Sequence, residues 1–539
     1  MIIQDYFGTN LKKTSENICI QRTLSTLVLP EFQKRESEDM SPLEENKRDS
    51  KDTFAETESG SDRQRDSESK SEDERKTDSA SRDSESKRDS EIAQSQFIPK
   101  INLNWTPYLK DDRVQMDAFN FRKWDKKLIE SDKMITKDLN RTRTDLPHMR
   151  DPRAQKHLRE IAAFYCLSNN AEYQQGLLEV IAPFLLFKKK DFKTADCYAY
   201  FSSFMRKYFP NILTPKLIHN TLQLPYLNAA LNYCELMIQY HCAEIAEELK
   251  KKVIDIRTFV TSWIMTLFTK GTPINLVYEI FDMYIKRQDK LYFFYLVVSM
   301  MVMNETVIKN ICIDDDDNTM LMKYLNQSIK SETLKDSECV KKWFDTADNI
   351  KKYTPLSFET SLRTLGFTSD PFLSIENIEE LLDNTKVTMI HVYPSEIISF
   401  LSDKMNKTQG KTYERDIDFR ILDLRRKKGK GYLPYSIEIP ATIYKDINTM
   451  KKYLQYLVTF EKDSHICIMT TGDNDEIETR IAASFTHYLL VHKKSYVSML
   501  FGGFQSLVIE MEKRKVDFSL YQKERGFFKR LKERLFGTA

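Results

Sequence analysis

Two polar side chains and their immediate neighbours carry the chemistry legible in this sequence. Ile135-Thr-Lys-Asp-Leu-Asn-Arg141 ends on a guanidinium, and Glu172-Tyr-Gln-Gln-Gly176 offers a carboxamide, Gln175, just before a glycine. A guanidinium can neutralise the charge that spreads over a transferring phosphoryl group, and a side-chain amide can hold an attacking water through one donor and one acceptor. Together they would complete, from outside, the site of a slow GTPase. Asp138 stands three residues before Arg141, where on a helical turn its carboxylate can pair with the guanidinium and set its direction. Each residue also has a purely structural reading: a helix cap for Asp138, one more surface cation for Arg141, plain core for Tyr173. The elements that position them must decide.

The length of 539 residues exceeds what one hydrophobic core usually serves, so two or three domains are expected. Lys plus Arg (82) nearly cancels Asp plus Glu (80), and no global field argues for nucleic acid. The eight cysteines include no Cys-x-x-Cys pair and no His at zinc spacing. Several fall inside apolar helical patterns and read as reduced, buried thiols of a cytosolic protein, with no metal or cofactor expected. The first residues lack a basic region followed by an apolar run. The longest apolar run, Leu291 to Met303, is too short for a bilayer and reads as a buried core helix. These features describe a soluble protein that only visits membranes.

Along the chain, residues 1–96 read as a disordered, charged, low-complexity region. Ile18 to Leu29 holds scattered apolar positions suited to a short docking segment or to an unstructured tail. From Thr57 to Glu91 the only apolar side chain is Ala80, and RDSESK occurs at Arg65 and again at Arg82. Such a segment cannot offset its ordering entropy by burial. Residues 97–368 are helical in pattern: Leu158, Ile161, Ala162, Tyr165 and Cys166 share one face, and apolar stripes recur at 176–187, 195–208, 227–239, 258–268, 274–286, 291–303 and 318–328. The run Asp314 to Asp317 reads as a solvated loop, since a calcium loop needs spaced ligands and a glycine. After a linker at 369–387 the texture changes. Asp418 to Leu424 and Ser464 to Gly472 read as strands buried on two faces and alternate with helical patterns at 395–404, 446–460 and 476–490. Residues 388–520 are therefore expected to form an α/β domain with a mainly parallel sheet.

The helical region resembles the TBC domain, the module of Rab GTPase-activating proteins. Its I-x-x-D-x-x-R motif stands as Ile135, Asp138 and Arg141, and its Y-x-Q-G motif as Tyr173, Gln175 and Gly176. Ser262-Trp263 with Leu267-Phe268, Phe281-Asp282, and His241 with Glu244 match later family patterns. The resemblance implies that Arg141 is an arginine finger and Gln175 a glutamine finger, both acting in trans on a Rab that carries its own GTP and Mg. Asp138, Tyr173 and Gly176 support them; Tyr173 would brace the loop, and Gly176 would let the backbone approach the partner's phosphates. Three departures stand out. Ile101 replaces an early arginine, leaving only Trp105 of that pattern; Leu177-Leu178 replaces Met-Asn; and Cys242-Ala243 replaces Asp-Pro.

Residues 388–520 resemble a rhodanese domain through Asp423-Leu-Arg425, the segment Gly431 to Pro440, and Gly502-Gly503-Phe504. A working rhodanese needs a thiolate at the start of its active loop. Aligning Gly472 puts Met469 there and Asn474 at the expected arginine, so the domain is expected to be inert, and Cys467 lies within the preceding strand. A TBC domain followed by an inactive rhodanese domain resembles the branch of trans-Golgi tethering adaptors. That branch implies a cytoplasmic protein, peripheral at the trans-Golgi network and on endosome-derived vesicles, that binds golgin tails and WASH-complex peptides. Its better-known members have lost both fingers, which this chain keeps. Two mechanisms stay open, Rab GTPase activation and tethering without catalysis. The last segment, 521–539, reads as a basic amphipathic helix. Phe527, Leu531 and Leu535 recur every four residues, while Lys529, Arg530, Lys532 and Arg534 suit a weak contact with an anionic leaflet; packing on the preceding core is the alternative.

Overall fold

The helical pattern is realised as a set of helices whose apolar stripes meet in one core. The computed structural model describes residues 104–109, 126–169, 172–187, 194–209, 212, 216–218, 221–315, 317–368, 388–405, 413–427, 433–459, 464–472 and 475–516. The expectations for 1–96, 369–387 and 521–539, including Lys529, Arg530, Lys532 and Arg534, lie outside the described residues.

Helix α1 (Lys126–Leu139) leads through a turn to α2 (Pro152–Ser168), which starts where Asp151 accepts a hydrogen bond from the Arg153 N–H (2.8 Å) with Pro152 in the first turn. Leu158, Ile161, Ala162 and Cys166 of α2 are buried as the spacing requires. Helix α3 (Leu177–Leu186) is apolar at every position except Glu179 and almost wholly buried, so it runs through the middle of the bundle. Then follow α4 (Thr194–Tyr208), a short antiparallel pair β1 (Lys216–Ile218) and β2 (Thr221–Gln223), α5 (Pro225–His241), α6 (Ala243–Lys251), α7 (Arg257–Met265) and α8 (Ile274–Arg287). The apolar run is α9 (Tyr292–Met303), a buried core helix. After α10 (Glu305–Asp314), helices α11 (Thr319–Lys323) and α12 (Ile329–Thr333) are joined by a π-helical turn, Tyr324–Ser328. Helices α13 (Ser337–Lys352) and α14 (Leu356–Thr364) complete the bundle. One reading of the acidic run is corrected: Asp315 is not solvated but buried, and its carboxylate accepts the Leu321 N–H (2.7 Å) in α11.

The α/β region holds five parallel strands in the order β3, β7, β6, β4, β5: β3 (Ile390–Val392), β4 (Phe419–Asp423), β5 (Ser436–Glu438), β6 (His465–Met469) and β7 (Val497–Leu500). Along β6, Cys467 and Met469 join one apolar cluster while Ile466 and Ile468 join another, the two-faced burial that a parallel sheet imposes. The first cluster is covered by α15 (Pro394–Met405) and α18 (Gly503–Arg514), the second by α16 (Ile447–Val458) and α17 (Glu476–Val491). Burial pushes the Cys467 thiol up to about 12, consistent with an inert core residue.

Bundle and sheet belong to one compact unit, Ile98–Ala539, and a polar seam joins their described residues. Glu396 of α15 accepts the Leu356 and Ser357 N–H groups (2.8 and 2.7 Å), capping the bundle's last helix, and also takes the Tyr413 hydroxyl (2.5 Å). Arg415 reaches Glu359 (2.7 Å) and the Thr354 carbonyl (3.1 Å). The Tyr240 hydroxyl pairs with His465 Nδ1 (2.7 Å), His241 with Thr354 (2.9 Å), and the Tyr496 N–H donates to the Tyr240 carbonyl (2.7 Å).

Two outcomes are expected. Glu396→Ala strands several buried donors and should cost on the order of 3 kcal/mol in urea unfolding, with bundle and sheet still melting in one transition. Burial holds His241 and His465 at about 3, well below their ordinary value of 6.5. Both are neutral in the folded chain while the unfolded chain takes up protons below about 6.5, so stability should fall as pH drops from there towards 3. Urea midpoints across that window check the slope, which His465→Gln should flatten.

Candidate functional site

The last turn of α1 buries Ile135, Asp138 and Leu139 on one side. The chain then turns over the Asp138 carbonyl, which accepts the N–H groups of Arg141 (3.0 Å) and Thr142 (2.9 Å). The Asp138 side chain is 4% exposed and the Arg141 side chain 57%. Asp138 Oδ1 accepts Arg141 Nε (2.6 Å) and Nη2, which leaves Nη1 without a hydrogen-bond partner among the described residues. Its Oδ2 accepts the Tyr173 hydroxyl (2.7 Å) and the Gly176 N–H (3.0 Å). Tyr173 is fully buried, and burial together with the adjoining carboxylate raises its pKa, so it stays a donor.

Gln175 is exposed and lies between those two donors in sequence. Gly176 is the N-cap of α3 with φ of +97°, where only glycine sits without strain, and a Cβ there would lie 3.1 Å from Thr266 Cγ2. Its backbone N–H is committed to Asp138. The structure thus joins Arg141, Gln175, Asp138, Tyr173 and Gly176: a cationic tip and a carboxamide are exposed on two turns that one buried carboxylate ties together.

The departures noted in the sequence become intelligible. Leu177 and Leu178 are buried, so the replacement of Met-Asn alters packing beneath the turn and leaves the exposed face alone. Trp105 is buried and donates from Nε1 to Asp282 (3.2 Å), joining two motif residues far apart in sequence. The Ala243 N–H donates to Ser495 Oγ (3.3 Å) in the sheet region, a bond that proline could not make. Glu244 in the same turn pairs with Lys309 (2.7 Å) and Lys493 (3.0 Å). Sequence reasoning missed Arg143, which is 3% exposed and bonded through Nη1 to the carbonyls of Thr269 (3.1 Å) and Thr272 (2.7 Å). Its position in Arg-Thr-Arg resembles a solvated charge run, and no local signal marks it as buried.

Met469 and Gly472 lie elsewhere, at the carboxyl end of β6, where open parallel sheets bind ligands. Met469 is a core residue, and a Cβ on Gly472 would lie 2.7 Å from Gln505 Oε1. The buried Glu478 carboxylate accepts the N–H groups of Thr471 (2.6 Å) and Arg426 (2.7 Å) and the Thr471 hydroxyl (3.0 Å). An internal carboxylate thus takes donors that a bound anion would use. Among the described residues no group of His, Cys, Asp or Glu is arranged to hold a metal.

Residues 99–309 match the family model of the Rab-GTPase-TBC domain. The chain carries a TBC domain. That match contains both exposed turns, while the helical bundle continues past it to Thr364. Two solved structures are similar. One is described as the Ypt/Rab-GAP domain of Gyp1p, with 13% identity, 42% of this chain and 76% of that chain covered, and a TM-score of 0.34. The other is a Chlamydomonas flagellar RabGAP TBC domain, with 13% identity, 51% and 94% covered, and a TM-score of 0.33. A TBC domain ties this chain's function to Rab GTPases.

Asp138→Asn puts an amide nitrogen against one of the four donors around that carboxylate and should cost roughly 2–4 kcal/mol in urea unfolding. Tyr173→Phe removes one donor only and should cost about 1 kcal/mol.

Proposed function

We propose that the TBC domain stimulates GTP hydrolysis by a Rab, with Arg141 stabilising charge on the transferring phosphoryl group and Gln175 orienting the attacking water. The observation that carries this reading is the shared Asp138 carboxylate, which bonds Arg141 through one oxygen and the Gln175 turn through the other while both finger side chains stay exposed. Arg141 Nη1 stays without a partner among the described residues, and the Gln175 side chain is exposed. GTP and Mg come with the partner, and the chain supplies no cofactor of its own.

The α/β region, 388–520, serves in this proposal as a rhodanese-like, catalytically inert scaffold for protein partners. A buried thioether at Met469 and the filled loop at Glu478 support that role, since neither provides a nucleophile. By resemblance its partners are golgin tails and WASH-complex peptides, at the trans-Golgi network and on endosome-derived vesicles, with a weak membrane contact through Lys529, Arg530, Lys532 and Arg534. The second reading is a tether with no GTPase activation, in which the exposed turns serve only for docking.

A panel of GTP-loaded Rabs incubated with the whole chain separates the two. The expected result is stimulation of at least one Rab that Arg141→Ala or Gln175→Ala abolishes while the unfolding midpoint is kept. Loss of an arginine finger removes about 10³ to 10⁵ in rate in such systems. Equal stimulation by wild type and both variants overturns the finger reading, and vesicle capture that survives both substitutions with no stimulation at all supports the tether.

A further inference from the structure

We infer that Arg143, which makes no exposed surface of its own, is a positioning residue that couples the two finger turns through their buried side. The inference rests on the activation reading above and adds a residue that the finger motifs do not contain.

Three observations carry it. First, Arg143 occupies the turn directly after Arg141 with φ of +50°, a left-handed conformation that costs a non-glycine residue free energy unless its surroundings hold it. Its guanidinium supplies the hold through Nη1 alone, which donates to two carbonyls of the turn between α7 and α8, Thr269 and Thr272. Second, that α7–α8 turn also backs the other finger. Thr266 Cγ2 lies where a Cβ on Gly176 would touch it, so a shift of the α7–α8 turn reaches the backbone next to Gln175. Third, the Arg143 charge acts on the carboxylate of Glu179, a buried residue in the first turn of the helix that Gly176 caps.

The electrostatics fit a clamp more closely than a surface cation. Burial raises the Glu179 pKa, while Arg143 and Lys270 oppose that rise. Across the cluster, burial pushes Lys330 down to about 8, with Glu179 holding it up and Lys270 and Arg143 adding to the fall. Arg143 Nε and Nη2 and Glu179 Oε2 find no hydrogen-bond partner among the described residues, so charge and the two Nη1 bonds hold the guanidinium in place. Asp138 joins the finger turns directly through its carboxylate, and Arg143 joins them by way of the α7–α8 turn. A finger pair fastened on two sides keeps its spacing when a partner pulls on it.

The test compares Arg143→Met and Arg143→Lys with wild type in the whole chain, by two independent readouts. Amide hydrogen exchange needs no partner. It should quicken in Arg143→Met at both 141–146 and 174–179, and less in Arg143→Lys, which keeps a cation able to donate to the same carbonyls. Quickening confined to 141–146 overturns the coupling. Stimulated hydrolysis, on a GTP-loaded Rab that wild type activates, should fall roughly 10- to 100-fold in kcat with KM unchanged, and Arg143→Met should add nothing on an Arg141→Ala background. Losses that multiply, or a loss confined to KM, overturn the positioning role. Should wild type activate no Rab through Arg141, the activation reading fails, and the exchange experiment still decides whether Arg143 couples the turns.

Discussion

One buried carboxylate governs the most exposed chemistry of this chain. A carboxylate removed from water costs several kcal/mol unless its lone pairs are met, and Asp138 meets four donors: Arg141 Nε and Nη2, the Tyr173 hydroxyl and the Gly176 N–H. Satisfying the anion and ordering the two turns are therefore one event. A long arginine side chain left free at the surface has up to about 2 kcal/mol of rotamer entropy to lose at each encounter. Arg141 has lost much of that on folding, because two of its nitrogens are already committed, while Nη1 keeps its donors. Gln175 gains from the same bond through the backbone, since fixing the Gly176 N–H fixes the peptide unit that carries it.

The seam between bundle and sheet explains a feature that sequence motifs alone make puzzling. The turn 241–244 departs from its family pattern where the sheet region docks. His241 is half-buried and bonded to Thr354, the Ala243 N–H is needed by Ser495, and Glu244 binds Lys493. A proline at 243 would remove the donor, so its replacement follows from the partner within the chain. Apolar packing crosses the same boundary, with Ile390 of β3 counted in the helical core. A fragment ending at 368 would expose this surface, which makes the longer unit the better object for biochemistry.

How much of this was legible in the sequence depends on the range of the interactions involved. Helices longer than three turns declared themselves, because a face such as Leu158, Ile161, Ala162 and Cys166 repeats often enough to be counted. The strands β4 and β6 did so as apolar runs. Strands of three or four residues, β1, β2, β3, β5 and β7, carry too few alternations to stand out, and pairing with distant neighbours defines them. The pairing of Asp138 with Arg141 is local and could be foreseen from spacing. The bonds from Asp138 to Tyr173 and Gly176 depend on α2 returning the chain, and the burial of Arg143 depends on the distant 269–272 turn. For the same reason nothing local distinguishes Asp315, one of four consecutive acids, from exposed Asp314 and Asp317; its bond to the Leu321 N–H of α11 does.

The sheet region then raises the question of why a loop at the carboxyl end of a central parallel strand should be closed. Glu478 answers it from within. Its carboxylate accepts two backbone N–H groups and a hydroxyl, and it comes from the first turn of α17, which Asp475 caps. Any anion approaching the loop would have to displace a buried carboxylate already bonded three times, and would leave that charge unpaired in a low-dielectric interior. Beside it Arg425 is closed in the same manner, bidentate to Asp423 (2.9 and 2.8 Å) and stacked 3.6 Å over the Phe504 ring. Among the described residues at this end of the sheet, the Arg425 guanidinium and the Thr471 and Arg426 N–H groups are spent on the fold itself. The interior of this region contributes rigidity to the seam that holds the TBC domain.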